Sequence, residues 1–202
     1  MRSFVSRAWM SAVLFGALSL AAKTNYVDWQ ATGTGDGTSW IDAYSNLPAA
    51  VSGSVSNDEI WVAQGAYRAG ANRSSSFSMK AFVRIYGGFT NGMTDLTQRD
   101  WLVHPSILSG DVDGNNEHDA NNAYHVVSPQ NDGMMDGFHI QHGYANGSNP
   151  NNYGGAVYAN NQYFRFANCA FISNYSAAAG GAIGFIVGGR PRPTVFENCR
   201  FV

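Results

Sequence analysis

The chain has 202 residues with 23 glycines, 12 Lys plus Arg and 14 Asp plus Glu; lysine occurs only at Lys23 and Lys80, against 19 asparagines. Polar surface therefore comes from amides more than from charge, which argues against a duplex nucleic-acid binder or an anionic-membrane binder, since both need cations to neutralise phosphates. Two cysteines, Cys169 and Cys199, are too few for a disulfide-stapled mini-scaffold.

In chain order, Arg2 and Arg7 precede an uncharged run from Ala8 to Leu20, and Ser19 with Ala21 gives the small-residue spacing that a signal peptidase reads. As a helix this run would rise only ~20 Å against a ~30 Å hydrocarbon core. Residues 1–21 are expected to be a cleaved signal peptide, and the mature chain to be exported, extracellular or on the outer-membrane surface, without a transmembrane helix. Without Arg2 and Arg7, 10 basic side chains face 14 acidic ones, a balance of −4. The remaining length suits a single core.

Residues 22–58 are expected to form an N-terminal cap. The loop Gly33-Thr34-Gly35-Asp36-Gly37 lacks the strand, GxGxxG and helix spacing of a dinucleotide site and reads as a turn. After it, Thr38 or Ser39 is expected to cap a short amphipathic helix with Trp40, Ile41, Tyr44, Leu47 and Val51 on one side, kinked or split at Pro48. From residue 59 onward, short strands alternate with Gly, Asn, Asp, Ser and Pro. They are expected at Glu59 to Ala63, Ala81 to Tyr86, Ser106 to Ser109, Tyr124 to Ser128, Met134 to Gln141, Ala156 to Ala159, Tyr163 to Ser173, Ala182 to Val187 and Thr194 to Val202. No helix alternates with them, which argues against a doubly wound sheet.

Self-similarity decides the fold class. Phe166-Ala167-Asn168-Cys169-Ala170-Phe171-Ile172 recurs 30 residues later as Phe196-Glu197-Asn198-Cys199-Arg200-Phe201-Val202, and Met135, Phe138 and Ile140 form a weaker earlier copy. Taking Ile60, Ile85, Leu108, Phe138, Cys169 and Cys199 as equivalent inward positions gives separations of 25, 23, 30, 31 and 30. Such a period suits coils stacked in a parallel ladder with like residues on like. The expected fold is all-β, a right-handed parallel β-helix (solenoid) over residues 59–202, with a short N-terminal capping helix over its open end. Asn168 and Asn198 should stack in an amide ladder. The cysteines should stack as thiols packed among the Phe and Ile rows, rather than form a disulfide. The chain stops on Phe201-Val202, inside a repeat, so further coils and a C-terminal anchoring module are expected beyond it.

Phe171-Ile172-Ser173-Asn174 followed by Gly180-Gly181-Ala182-Ile183 resembles the FxxN and GGA(I/L/V) pair of polymorphic outer-membrane protein repeats, with Gly154-Gly155-Ala156-Val157 a second copy of the latter. Tyr26-Val27-Asp28, Asp58 to Ala63, Tyr86-Gly87-Gly88-Phe89 and Ile107 to Asp111 are similar to the opening of large bacterial β-helix surface proteins. The resemblance implies secretion or outer-membrane display and a role in adhesion.

Half of the carboxylates fall between Asp100 and Asp136. Within that segment Asp111, Asp113, Asn115, Glu117 and Asp119 alternate oxygen ligands, a candidate loop for Ca²⁺ against the alternative of a solvated Asp/Asn loop. No other cofactor is assigned. Tyr144, Tyr153, Tyr158 and Tyr163, in an Asn-rich region, are candidates for stacking on glycans. His118, His125, His139 and His142 read as scattered loop residues. No catalytic residue is assigned. Trp40-Ile41-Asp42 superficially resembles a pectate-lyase signature, but Ala43 stands where a His would follow, and Arg190-Pro191-Arg192-Pro193 reads as a rigid basic turn. The expectation is a surface protein in adhesion, glycan or surface binding, or display. The alternative is a polysaccharide lyase or glycoside hydrolase of pectin-lyase-like fold.

Overall fold

The computed structural model describes residues 22–186 and 194–202. The expected signal peptide and the Arg190–Pro193 turn lie outside the described residues. Among those described, the chain is predominantly β, its sheets are all parallel, and it has one α-helix.

Three sheets carry the architecture, and in each the spatial order follows the chain. The first contains Thr24–Val27, Glu59–Ala63, Arg84–Phe89, Gly133–Asp136, Phe164–Ala167 and Val195–Glu197; the second Gly65–Arg68, Ser106–Ser109, Phe138–Gln141, Ala170–Ile172 and Arg200–Phe201; the third Phe77–Ser78, Val127–Ser128, Val157–Asn160 and Ile183–Ile186. A small fourth pairs Tyr144–Ala145 with Tyr175–Ser176.

Register turns the sequence repeat into core. In the first sheet Ile60, Ile85, Met135, Phe166 and Phe196 align. Tyr67, Leu108, Ile140, Phe171 and Phe201 align in the second, and Phe77, Val127, Val157 and Ile183 in the third. Most of these side chains fall in one buried cluster, each full burial contributing roughly 1.5–3 kcal/mol. Phe166 stacks on Phe196 at 5.7 Å and 11°, and Phe171 on Phe201 at 4.8 Å and 10°.

The weaker copy at Met135, Phe138 and Ile140 holds in register, but Ile85 and Leu108 are not successive equivalents. Ile85 pairs with Ile60 and Met135 in the first sheet, Leu108 with Tyr67 and Ile140 in the second. Both belong to one turn of the chain, lengthened by segments 90–105 and 110–126. The residue opposite Phe138 is Ser106, whose buried hydroxyl donates to the Val62 and Ala63 carbonyls and accepts from the Gly88 N–H at 3.0 Å.

Several single strands expected from sequence are two strands around a corner. Gly137 (φ 81°), Asn168 (φ 50°) and Asn198 (φ 51°) take left-handed backbone between the first and second sheets, a conformation open to Gly and tolerated by Asn. The amide ladder is there: Asn198 Nδ2 donates to Asn168 Oδ1 at 2.7 Å, and Asn168 Nδ2 to Asp136 Oδ1 at 2.8 Å. Asp136 in turn pairs with Arg99 at 2.9 Å, both largely buried.

At the next corner Asn174 accepts from the Gly143 N–H at 2.9 Å and donates to the Ile140 and Ile172 carbonyls at 2.9 and 3.0 Å. One side chain thus ties a layer to the layer before it. The paired glycines answer to close backbone approach: a Cβ on Gly154 would lie 2.1 Å from the Val157 carbonyl oxygen, and one on Gly180 1.9 Å from that of Ile183.

The helix differs from expectation. It spans only Leu47–Gly53, capped by the Asn46 side chain accepting from the Ala49 N–H at 2.9 Å, with Leu47 and Ala50 buried. Thr38 and Ser39 cap nothing helical, and Ile41 is 67% exposed. Pro48 opens the helix instead of kinking it, because a first-turn residue needs no N–H donor. The free edge of Thr24–Val27 is met by backbone from the glycine loop and beyond: Tyr26 N–H donates to Gly37 O, Asp28 N–H to Tyr44 O and Tyr44 N–H to Tyr26 O. Trp40 and Asp42 are structural here. Trp40 is buried against Tyr26 and Phe89, its Nε1 donating to Met93 O at 2.6 Å, and Asp42 accepts from the Thr34 N–H.

Candidate functional site

A concavity with a mixed apolar and charged lining lies along the outer face of the first sheet. It is a cavity of about 470 Å³ bounded by Phe82, Arg84, Asp132, Met134, Tyr163 and Arg165. Arg84, Met134 and Arg165 are in register on consecutive strands, so the backbones of the two arginines stand roughly two strand spacings apart, ~9–10 Å, with the methionine between them. Arg84 pairs with Glu59 at 3.4 Å, and Arg165 with Glu197.

Phe82 is the unusual member. Asn57, Phe82 and Asp132 precede successive first-sheet strands at φ 73°, 60° and 58°. Asn and Asp tolerate that backbone, whereas a bulky side chain there is an outlier. Phe82 is also 53% exposed, so neither burial nor backbone preference accounts for it. Such an outlier points from structure toward function. The lining offers two aromatic faces and two Arg forks suited to hydroxyls or carboxylates. It includes one carboxylate, Asp132, where glycoside hydrolysis commonly uses a flanking pair.

Of the four tyrosines singled out from sequence, only Tyr163 lines this groove, and all four are half-buried. Tyr144 stacks on Tyr175 at 4.5 Å and meets His118 at 5.1 Å. Tyr158 lies over His125 at 5.0 Å, and Tyr153 bridges to Ala179. Phe82, Arg84 and Arg165 were not singled out, because the cavity draws on separate layers whose register no local pattern reveals.

In the acidic segment, Asp111 is buried at the base of the loop. It pairs with Arg68 at 3.1 Å and accepts from the Gly114 and Asn116 N–H groups at 2.8 and 3.1 Å. Burial pushes its carboxyl up, and those hydrogen bonds together hold it below the usual carboxylate range. Asp113, Asn115 and Asp119 cap the backbone N–H two residues on; Glu117 is exposed, and its backbone carbonyl accepts from Asn122 Nδ2 at 2.9 Å. No group of three or more His, Cys, Asp or Glu side chains is gathered to hold a metal among the described residues.

His118 and His142 come within 6.2 Å of each other, ring centre to ring centre, which sequence spacing did not suggest. His142 is at a left-handed corner (φ 63°), just past the strand that holds His139. Cys169 is buried and Cys199 half-buried, both as free thiols. Burial pushes Cys169 up, while the neighbouring Cys169 thiol holds Cys199 down at about 7.

Compared with protein-family models, with curated proteins and with solved structures, the chain finds no match. No helix among the described residues is long and apolar enough to cross a membrane.

Proposed function

We propose that the chain is a right-handed parallel β-helix built of polymorphic outer-membrane-type repeats. In this reading it is exported to the extracellular space or outer-membrane surface and works in adhesion, binding glycans or other surface ligands along the groove of the first sheet. The repeat assignment is supported by the stacked Phe rows, the Asn174 clamp and the glycine pairs at Gly154 and Gly180. Binding is supported above all by Phe82, which holds a large apolar ring half-exposed on left-handed backbone in a cavity shared with Tyr163, Arg84 and Arg165.

The full-length chain should be titrated calorimetrically with acidic and neutral oligosaccharides. Wild type is expected to bind an acidic oligosaccharide such as an oligogalacturonate, and the Phe82→Ala/Tyr163→Ala double variant to lose about tenfold or more in affinity with an unchanged circular-dichroism spectrum. Equal binding by wild type and double variant would remove the groove from the proposal.

A further inference from the structure

The turn after the first strand holds a tryptophan in the open. Trp29 is 53% exposed, although burying an indole is among the larger apolar gains a fold can make. The turn that carries it is fixed. The buried Asp28 carboxylate accepts the Gln30 N–H at 2.9 Å, and the Asp28 carbonyl accepts the Ala31 N–H at 3.0 Å. The indole rests on Gly65, where a Cβ would lie 2.3 Å from its Nε1. Ring position is therefore set from below by backbone, and solvent lies above.

Beside the indole is a cavity of about 350 Å³ lined by Gln30, Gln64, Ala66, Pro105 and Ile107. No side chain of that lining carries charge. Gln64 Oε1 is held 3.1 Å from His104 Nδ1, and each glutamine amide offers both donors and an acceptor. An apolar partner would strand these amides without hydrogen bonds, and an ionic one would find no counter-charge. The complementary ligand has an apolar C–H face for the indole and hydroxyls around its rim.

We propose that Trp29, with Gln30 and Gln64, forms a second binding site, which takes neutral hexopyranose chains. The inference rests on the surface-binding reading for its setting but uses none of the groove residues, so the two fail separately.

The test is calorimetric titration of the full-length chain with cellohexaose and mannohexaose, with an oligogalacturonate as the acidic control and a decaproline peptide as the competing occupant. A neutral hexamer is expected to bind wild type and the Phe82→Ala/Tyr163→Ala variant alike. Binding should weaken by about tenfold or more in Trp29→Ala and be largely kept in Trp29→Phe. Because Trp29 is exposed, thermal midpoints should stay close to wild type. Undiminished neutral binding in Trp29→Ala overturns the inference, as does binding of decaproline in place of the sugars. Oligogalacturonate binding through Tyr163 with no neutral hexamer bound overturns it while leaving the groove reading intact; no response to any glycan overturns both.

Discussion

Arg99 and Asp136 form the charged pair whose loss should cost most. Asp136 ends a first-sheet strand and accepts from Asn168, while Arg99, from the 90–105 segment, also lies over the Trp101 and Tyr86 rings at 4.9 and 5.2 Å. Both side chains are about 10% exposed, so removing the arginine leaves a carboxylate in a site that water barely reaches. Arg99→Ala is expected to lower unfolding free energy in urea by about 3 kcal/mol, within the range for breaking a buried pair. Histidines set the response to acid. Burial holds His125, His139 and His142 below the ordinary imidazole value, and His125 Nδ1 donates to the Gly154 carbonyl at 3.0 Å. These rings are neutral in the folded chain, whereas the unfolded chain takes up protons near pH 6.5. Stability should therefore be full above about pH 6.5 and decline as pH falls below it, levelling once the folded-state rings also protonate. Urea midpoints at pH 7.5 and 5.0 check this, and His125→Gln should shallow the decline.

At the scale of elements, corners are what sequence reading resolved least. Glu59–Ala63 and Ser106–Ser109 match their expected bounds, because each is a β-rich run closed by small or polar residues. Met134 to Gln141 reads as one strand since Gly137 interrupts nothing in the hydrophobic pattern; its positive φ and the change of sheet appear only in three dimensions. Asn168 hides the second sheet within the heptad repeat in the same way. The helix was misplaced because Trp40 and Tyr44 have helical spacing but pack on the first sheet's outer face and on its edge. Tyr163 stands out in the sequence as an aromatic in an amide-rich stretch, whereas Phe82 falls inside an expected strand and Trp29 carries no local signal, since neither backbone sign nor exposure is written in the sequence. The glycine pairs give a direct check on corner geometry. Gly180→Ala, with positive φ and a Cβ 1.9 Å from a carbonyl oxygen, should cost at least ~2 kcal/mol. Gly35→Ala, at φ 73° with nothing within 4 Å, should cost only about 1 kcal/mol. Similar losses for the two in thermal unfolding would mean that backbone crowding at Gly180 is not what fixes the corner.

Over the whole molecule, strand pairing runs from each layer to the next, so substitutions in the core should act chiefly on the layers that adjoin them. Phe166 is completely buried, with Met135 on one side and Phe196 on the other in register, and it meets Phe164 and Phe171 edge-on at 5.1 and 5.4 Å. Phe82, by contrast, lies within the chain and is 53% exposed. Phe166→Ala should cost about 3–5 kcal/mol, the lost transfer of a buried ring plus the cavity left behind, and Phe82→Ala under about 1 kcal/mol. Hydrogen exchange should place the amides of Gly133–Asp136 and Phe164–Ala167 among those that open only near the global unfolding free energy. If Phe166→Ala proved no more costly in urea unfolding than Phe82→Ala, burial of the ring row between neighbouring layers would not account for the stability of this fold.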